Sequence, residues 1–126
     1  MSEAPDELCA RNVTRGAVLA ARLEWAGTSA ARRTGLLGRE SFAAGSGLYL
    51  IPCPWIHTFG MSFPIDVAFL AKDGRVLALH AGLPPNRLSR LVFRAEGALE
   101  LPAGTLAATG TRVGDVVDFD TALTGS

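Results

Sequence analysis

Apolar and polar positions alternate along the first third of the chain. From residue 17 to residue 25 the odd-numbered positions are all apolar, whereas Arg22 and Glu24 occupy even-numbered ones. A period of two is typical of a strand with one face buried, so these residues are predicted to form a β-strand. A second, shorter apolar run at residues 47–51 predicts another strand.

The strongest local pattern is a hairpin. Residues 65–71 are apolar on both faces except at Asp66, and residues 75–81 form a second apolar run. Asp73 and Gly74 stand between them, and Asp-Gly is a favoured two-residue hairpin turn. Strands that are apolar on both faces lie inside a sheet or between layers, so these two strands are predicted at the centre of the fold.

The remaining elements are short. Thr28 or Ser29 can cap a helix over residues 29–38, although Gly35 weakens it. Extended structure is predicted for residues 91–101, one helical turn for 105–109 and a closing strand for 116–119. The predicted fold class is therefore mainly β, α+β at the margin: a small compact β-barrel or sandwich with one short helix near residues 29–38.

Composition fits one domain. The chain has 126 residues, 48% of them hydrophobic, with 12 basic and 12 acidic residues. Residues 1–10 are predicted to be a disordered N-terminal tail and 11–126 a single β-rich domain. Zero net charge argues against a nucleic-acid or anionic-membrane partner. The acidic N-terminus lacks the features of a secretory signal, so the expected location is cytoplasmic, with Cys9 and Cys53 reduced.

Residues 52–66 place potentially reactive side chains on a stiff backbone. Cys53, His57 and Asp66 lie within this segment of fifteen residues, which also contains three prolines and a glycine. They could act as a nucleophile, its base and an orienting carboxylate in a thiol or hydrolase-like enzyme. The thiol lies between two prolines rather than at a helix N-terminus, however, so nothing in the sequence activates it. The alternative is a buried Cys in a structural turn.

Metal and cofactor binding have weaker support. Cys53 and His57 have a spacing that zinc ligands can use, but a structural zinc site generally has a second close pair, and His80 is isolated. The chain also lacks a glycine-rich phosphate loop. We therefore expect no metal and no cofactor.

Acidic residues in apolar strands are a further indication of a structural or functional site. Asp66 begins an apolar strand and needs partners, such as the amides of residues 58–62, His57 or Arg39. Alternatively, Asp66 and His57 line one polar pocket. Glu100, between two leucines, raises the same question in milder form. The basic clusters are Arg32, Arg33 and Arg39, and Arg87, Arg90 and Arg94; a cluster at the pocket rim would suit a phosphate or carboxylate.

Several motifs in order resemble a known family. They are Arg-x-Gly-Leu-Leu-Gly-Arg at 33–39, Gly-Leu-x-Leu-x-Pro-Cys at 47–53, Ile-His-Thr-Phe-x-Met at 56–61, Phe-Pro-Ile-Asp-Val-x-Phe-Leu at 63–70, Leu-Glu-Leu-Pro-Ala-Gly at 99–104 and Gly-Asp at 114–115. This order resembles the prokaryotic domain of unknown function 192 family. The resemblance implies a compact β-rich fold without an established activity, cofactor or substrate. Gly60 and Ser62 depart from the family pattern around Met61.

The leading functional hypothesis is a small domain that binds a small molecule or a protein partner near residues 55–66, without demonstrable catalysis. The predicted ligand-binding residues are His57, Met61, Asp66 and Arg39. Two alternatives remain open. One is the thiol enzyme that uses Cys53, His57 and Asp66, and the other is a structural protein-interaction module.

Overall fold

The computed structural model describes residues 8–121, which form seven strands and two short helices. The strands are β1 (Leu8–Asn12), β2 (Ala17–Ala26), β3 (Ser46–Leu50), β4 (Ile65–Leu70), β5 (Val76–Leu83), β6 (Gly97–Pro102) and β7 (Val117–Thr121). The helices are α1 (Ser29–Thr34) and α2 (Thr105–Thr109). The predicted mainly β class is confirmed, with the second helix at the position predicted for one helical turn.

All seven strands belong to one sheet, which curls into a half-barrel with the order β5-β4-β6-β3-β2-β1-β7. Neighbouring strands are antiparallel except β2 and β3, which run parallel. The parallel pair requires a crossover, and α1 with the turn after it supplies that connection. Neither α1 nor α2 has the length or hydropathy to cross a bilayer, and residues 8–121 contain no longer helix.

The predicted hairpin is confirmed, but only one of its two strands lies inside the sheet. β4 and β5 pair antiparallel around Asp73 and Gly74, and all six residues of β4 are buried. β5 nevertheless lies at the edge of the sheet, so its predicted central position was wrong. Gly74 has φ +89°, and a Cβ there would clash with the carbonyl of Val117. The turn therefore requires glycine both for its conformation and for the close approach of β7.

The sheet has an apolar cluster on each face, which explains why its inner strands lack polar alternation. In β6, Leu99 and Leu101 belong to one cluster and Ala98 to the other. Because side chains alternate between faces, Glu100 shares the face of Ala98. Across the ladder Glu100 pairs with Val67, whereas Asp66 pairs with Leu101. The two carboxylates of these strands are therefore on opposite faces.

The strand predicted from alternation exists, but its burial pattern differs. Leu19, Ala20, Leu23 and Ala26 are buried in β2, whereas Trp25 is 46% exposed. The pairing with β1 shows the reason: Leu8 and Ala10 are two residues apart, but their partners Leu23 and Ala20 are three apart. The extra residue is a bulge, which lets Leu19, Ala20 and Leu23 all reach one apolar cluster.

Two further boundaries differ from the sequence prediction. β1 begins at Leu8, and Cys9 and Ala10 are buried, so residues 8–10 belong to the sheet rather than to the predicted tail. Residues 1–7 of that tail lie outside the described residues. The predicted 29–38 helix ends at Thr34, because Gly35 has φ +44° and closes the helix. Thr28 caps its start, accepting a hydrogen bond from the Ala31 amide.

Candidate functional site

A cavity of about 230 Å³ opens beside the proline-rich segment, on the face of the sheet that carries Glu100. Residues 32–37 of α1 and the following turn form one wall, and residues 52–57 form another. Leu50, Met61 and Glu100 complete the lining. The volume equals that of about eight water molecules in the liquid, so the cavity suits a compound of modest size.

Two buried hydroxyl side chains hold the proline-rich segment in place. The Thr58 hydroxyl donates to the Pro84 carbonyl at 2.6 Å and accepts from the Arg87 amide at 2.8 Å. The Ser89 hydroxyl accepts from the Ile56 amide at 2.9 Å. The loop that contains residues 84–92 therefore clamps the segment, and sequence analysis did not anticipate either clamp.

The clamped segment is extended, so its side chains alternate between core and solvent. Ile56 and Thr58 are buried, whereas Trp55, His57 and Phe59 are exposed. The His57 ring stacks on Phe59 with centroids 5.3 Å apart, and the Trp55 ring lies 6.3 Å away. A row of aromatic rings thus stands at the mouth of the cavity.

Arginines form part of the opposite wall. Arg32 donates from Nη1 to the carbonyls of Gly27 and Ile51, at 3.2 and 3.1 Å, and so ties α1 to the segment. The Arg33 guanidinium is exposed and forms no ion pair within residues 8–121. Of these two cationic side chains, Arg33 is the one that remains available to a ligand.

Cys53 lines the cavity as a neutral thiol. Its Sγ donates to the Trp55 carbonyl at 3.0 Å. Burial, aided by the nearby carboxyl of Glu100, raises the pKa of Cys53 to about 11. At neutral pH very little thiolate is present, so the thiol lacks the activation that a nucleophile needs.

The structure does not assemble the three residues of the thiol-enzyme hypothesis. Cys53 and His57 line the same cavity, yet within the described chain no hydrogen bond joins them, and His57 Nδ1 instead accepts from the Phe59 amide. Asp66 is on the other face of the sheet. Its carboxylate accepts from the amides of Gly82, Gly104 and Leu106 at 2.8, 3.1 and 2.8 Å.

Asp66 is therefore a buried backbone acceptor, and its partners are not those proposed from the sequence. The amides come from the end of β5 and the start of α2 rather than from residues 58–62, His57 or Arg39. Arg39 instead forms a bidentate pair with Glu24, with both distances 2.9 Å. Of the four predicted ligand-binding residues, the cavity brings together His57 and Met61 and excludes Asp66 and Arg39.

Glu100 is the principal site residue that sequence analysis underrated. Its side chain is 4% exposed, it lines the cavity, and nothing in residues 8–121 hydrogen-bonds to its carboxyl. Burial raises its pKa to about 8, although the charge of Arg39 opposes the shift. The carboxyl is therefore mostly protonated at neutral pH. An acid between Leu99 and Leu101 was the available signal, but the sequence could not say which face was open.

Metal ligation gains no support from geometry. Within residues 8–121 no three His, Cys, Asp or Glu side chains are close enough to hold a metal ion. His80 is partly buried on β5, edge-on to Phe69 at 6.0 Å, and its Nε2 has no partner in the described chain. It does not line the cavity.

A second exposed surface adjoins the segment. Leu88, Leu91 and Phe93 are 62, 65 and 80% exposed, and a β-bridge joins Leu88 to His57. Arg87, Arg90 and Arg94 lie on the same stretch and are also exposed. This is the surface to which the interaction-module hypothesis applies.

Two solved structures share the fold. A protein of unknown function from Novosphingobium aromaticivorans superposes with a TM-score of 0.78 at 24% identity, over 93% of this chain and 94% of the other. A Sinorhizobium meliloti protein named "putative transcription regulator" gives 0.76 at 24% identity, over 94% and 96%. At this identity the likeness establishes the fold alone. No curated protein has significant sequence similarity to the chain.

The sequence comparison identifies the family. The profile of the domain of unknown function 192, described as uncharacterized ACR, matches residues 10–119. This range contains every described strand in whole or in part, the cavity, Asp66 and Glu100, and it agrees with the motif resemblance. The chain therefore belongs to the domain of unknown function 192 family.

Proposed function

We propose that this domain binds a small molecule in the cavity between the α1 turn and residues 52–57. The observation that carries the proposal is Glu100, a buried carboxyl that reaches the cavity and has no hydrogen-bond partner in residues 8–121. Buried polar groups are normally paired, and an exception in a cavity is typical of a binding site.

The walls of the cavity support the same function. Leu36, Leu50, Ile56 and Met61 offer apolar contact, and Trp55 adds an aromatic ring at the mouth. Apolar walls with a few polar groups are the usual composition of a small-molecule site. The double clamp by Thr58 and Ser89 supports a preformed site, because it fixes one wall without a ligand.

Catalysis by the thiol has less support. A nucleophilic Cys requires a lowered pKa, whereas burial raises that of Cys53 to about 11. The third member of the hypothetical triad, Asp66, is occupied by three backbone amides on the opposite face. Binding without covalent chemistry is therefore the better account of the cavity.

The proposal includes a cytoplasmic location and no nucleic-acid partner. Cys9 and Cys53 are both free, as expected where thiols are kept reduced. A formal net charge of zero weighs against a partner held by phosphate contacts. The regulator name of the Sinorhizobium meliloti protein belongs to that protein and does not alter this assignment.

A fragment screen with the cavity intact or blocked tests the proposal. Thr34→Trp puts a large ring on the cavity wall, and Ala30→Trp puts the same ring on an exposed part of α1 outside the lining. A mixture of neutral, anionic and cationic fragments should shift ¹H–¹⁵N resonances of cavity residues in the wild type and in Ala30→Trp. Thr34→Trp should abolish those shifts.

The result that contradicts the proposal is equally clear. If no fragment shifts cavity resonances at millimolar concentration, or if Thr34→Trp binds as well as the wild type, the cavity is not a ligand site. Thermal melts of both tryptophan variants provide the control for folding.

A further inference from the structure

We infer that the cavity takes a small amine, whose ammonium group is bound by Glu100 and whose remaining part is apolar; this assignment rests on the binding function proposed above. Glu100 is 4% exposed and pairs across the sheet with Leu48 and Val67, whose side chains donate no hydrogen bond. The carboxyl oxygens reach the cavity surface and have no donor in residues 8–121, so a ligand that supplies donors complements them best.

The polar groups near Glu100 are already engaged elsewhere. Arg39 gives both Nη atoms to Glu24, and Arg32 donates to the backbone carbonyls of Gly27 and Ile51. The thiol hydrogen of Cys53 is directed at the Trp55 carbonyl. None of these donors can turn to Glu100 without losing its present bonds, so the missing donor comes from the ligand.

The surrounding positive charges do not exclude an ammonium ion. Among the cations of residues 8–121, Arg39 is the one whose charge lowers the pKa of Glu100, and its bidentate pair with Glu24 offsets that charge. Arg33 and His57, at the mouth, are exposed, where solvent screens charge strongly. A charge-assisted bond from an ammonium to a buried carboxylate outweighs these screened repulsions.

The protonation state of Glu100 predicts a characteristic pH dependence for the binding of amines. Since the pKa of Glu100 is about 8, its carboxyl keeps its proton at pH 7 when the cavity is empty. An alkyl ammonium, with a pKa of about 10, does not take that proton. Binding therefore forms a carboxylate–ammonium pair and releases one proton from Glu100 to solvent. Amine affinity should rise about ninefold from pH 6 to 7 and about fivefold from pH 7 to 8, where the titration of Glu100 levels off.

Three probes of similar size separate the possibilities: 2-phenylethylamine, its neutral analogue 2-phenylethanol and the anion 3-phenylpropanoate. Dissociation constants would be measured from ¹H–¹⁵N shift titrations at pH 6, 7 and 8. The proteins are wild type, Glu100→Gln and the control Glu40→Gln, which removes an exposed carboxylate outside the cavity. The amine should bind wild type and Glu40→Gln with the stated pH dependence.

In Glu100→Gln the amine should bind at least tenfold more weakly, with no pH dependence, while 2-phenylethanol should change less than twofold. Equal binding of amine and alcohol, or preference for the anion, would overturn the amine assignment while leaving the cavity as a ligand site. If none of the three probes shifts cavity resonances, the proposed function fails as well. Urea unfolding of each variant verifies that it folds.

Discussion

Two carboxylates are buried in adjacent strands of this sheet, and their environments are opposite. Asp66 in β4 accepts three backbone hydrogen bonds, at 2.8, 3.1 and 2.8 Å. Glu100 in β6 has no hydrogen-bond partner in residues 8–121 and borders a cavity. Both are nearly inaccessible, at 1 and 4% exposure. Equal burial therefore conceals a difference in the number of hydrogen-bond donors around each carboxyl, and that difference is why we propose a ligand-binding role for Glu100 and a structural one for Asp66.

The difference has a simple geometric origin. Asp66 pairs with Leu101 and Val67 pairs with Glu100, so one step along the ladder reverses the face. On the Asp66 face, β5 ends and α2 begins, and both termini offer free amides. On the Glu100 face, the covering layer is the proline-rich segment and the α1 turn, which leave a gap. One acid joins elements together, and the other remains open to a ligand.

The largest expected effect is the loss of the Asp66 carboxylate. Asp66→Ala should lower the free energy of unfolding by about 5 kcal/mol, because three buried amides lose their acceptor. Asp66→Asn should cost about 2 kcal/mol, since in either orientation its amide places a donor against at least one of the three backbone amides. Urea denaturation measures both. A change below 0.5 kcal/mol in both would contradict the structural role of Asp66.

The second prediction concerns the pH dependence that Glu100 imposes. Its pKa in the folded state, about 8, exceeds the ordinary 4.5, so the folded chain holds a proton that the unfolded chain loses in this range. The stabilising contribution is thus complete below about pH 4.5 and lost as the pH rises to 8. The wild type should lose about 4 kcal/mol between pH 5 and 8, and Glu100→Gln should not.

Denaturant unfolding at half-unit pH steps tests this prediction, with Glu40→Gln as the control for removal of an exposed carboxylate. Parallel pH curves for wild type and Glu100→Gln would show that the Glu100 carboxyl is hydrated rather than buried.

The third prediction uses Cys53 as a reporter of Glu100. With its pKa raised to about 11 from 9.0, Cys53 should react with iodoacetamide at pH 7 about a hundredfold more slowly than an ordinary thiol. At pH 9 the ionised Glu100 disfavours the thiolate, so Glu100→Gln should react about threefold faster than wild type. Peptide mass spectrometry separates Cys53 from Cys9, and equal rates at pH 9 would refute the coupling.

The smallest expected effect is that of His57. Its ring is exposed and accepts one hydrogen bond, from the Phe59 amide, so His57→Ala should change stability by less than about 0.5 kcal/mol. The neighbouring Thr58→Val should cost about 2 kcal/mol, because it removes the buried clamp to Pro84 and Arg87. Thermal melts of both variants test the contrast, and a large loss for His57→Ala would assign His57 a structural role.

The sequence predicted well what depends on local pattern. The Asp73-Gly74 turn and its flanking apolar runs specified the β4–β5 hairpin, and Gly110 closes α2 as expected of a glycine at a helix end. The sequence prediction failed in β2, where a bulge inserts one extra residue into the strand. The bulge between Ala20 and Leu23 brings Leu19, Ala20 and Leu23 into one apolar cluster, and a period-two pattern cannot register such an insertion.

The same distinction between local pattern and tertiary packing applies to the candidate site. The sequence drew attention to the stiff 52–66 segment, and His57 and Met61 line the cavity beside it. It joined Asp66 to them because the three are close in the chain. Chain proximity does not fix the face of a sheet, however, and a sheet separates neighbouring residues completely.

By itself the sequence determined the element types, the β4–β5 hairpin, the family and the presence of Asp66 and Glu100 in apolar strands, because each follows from local spacing and composition. Only the tertiary structure decided which acid is satisfied. That outcome depends on contacts across 16 to 40 residues, from Asp66 to Gly82, Gly104 and Leu106, and on the absence of such donors to Glu100 within residues 8–121. Long-range packing sets those contacts, and no local pattern encodes them.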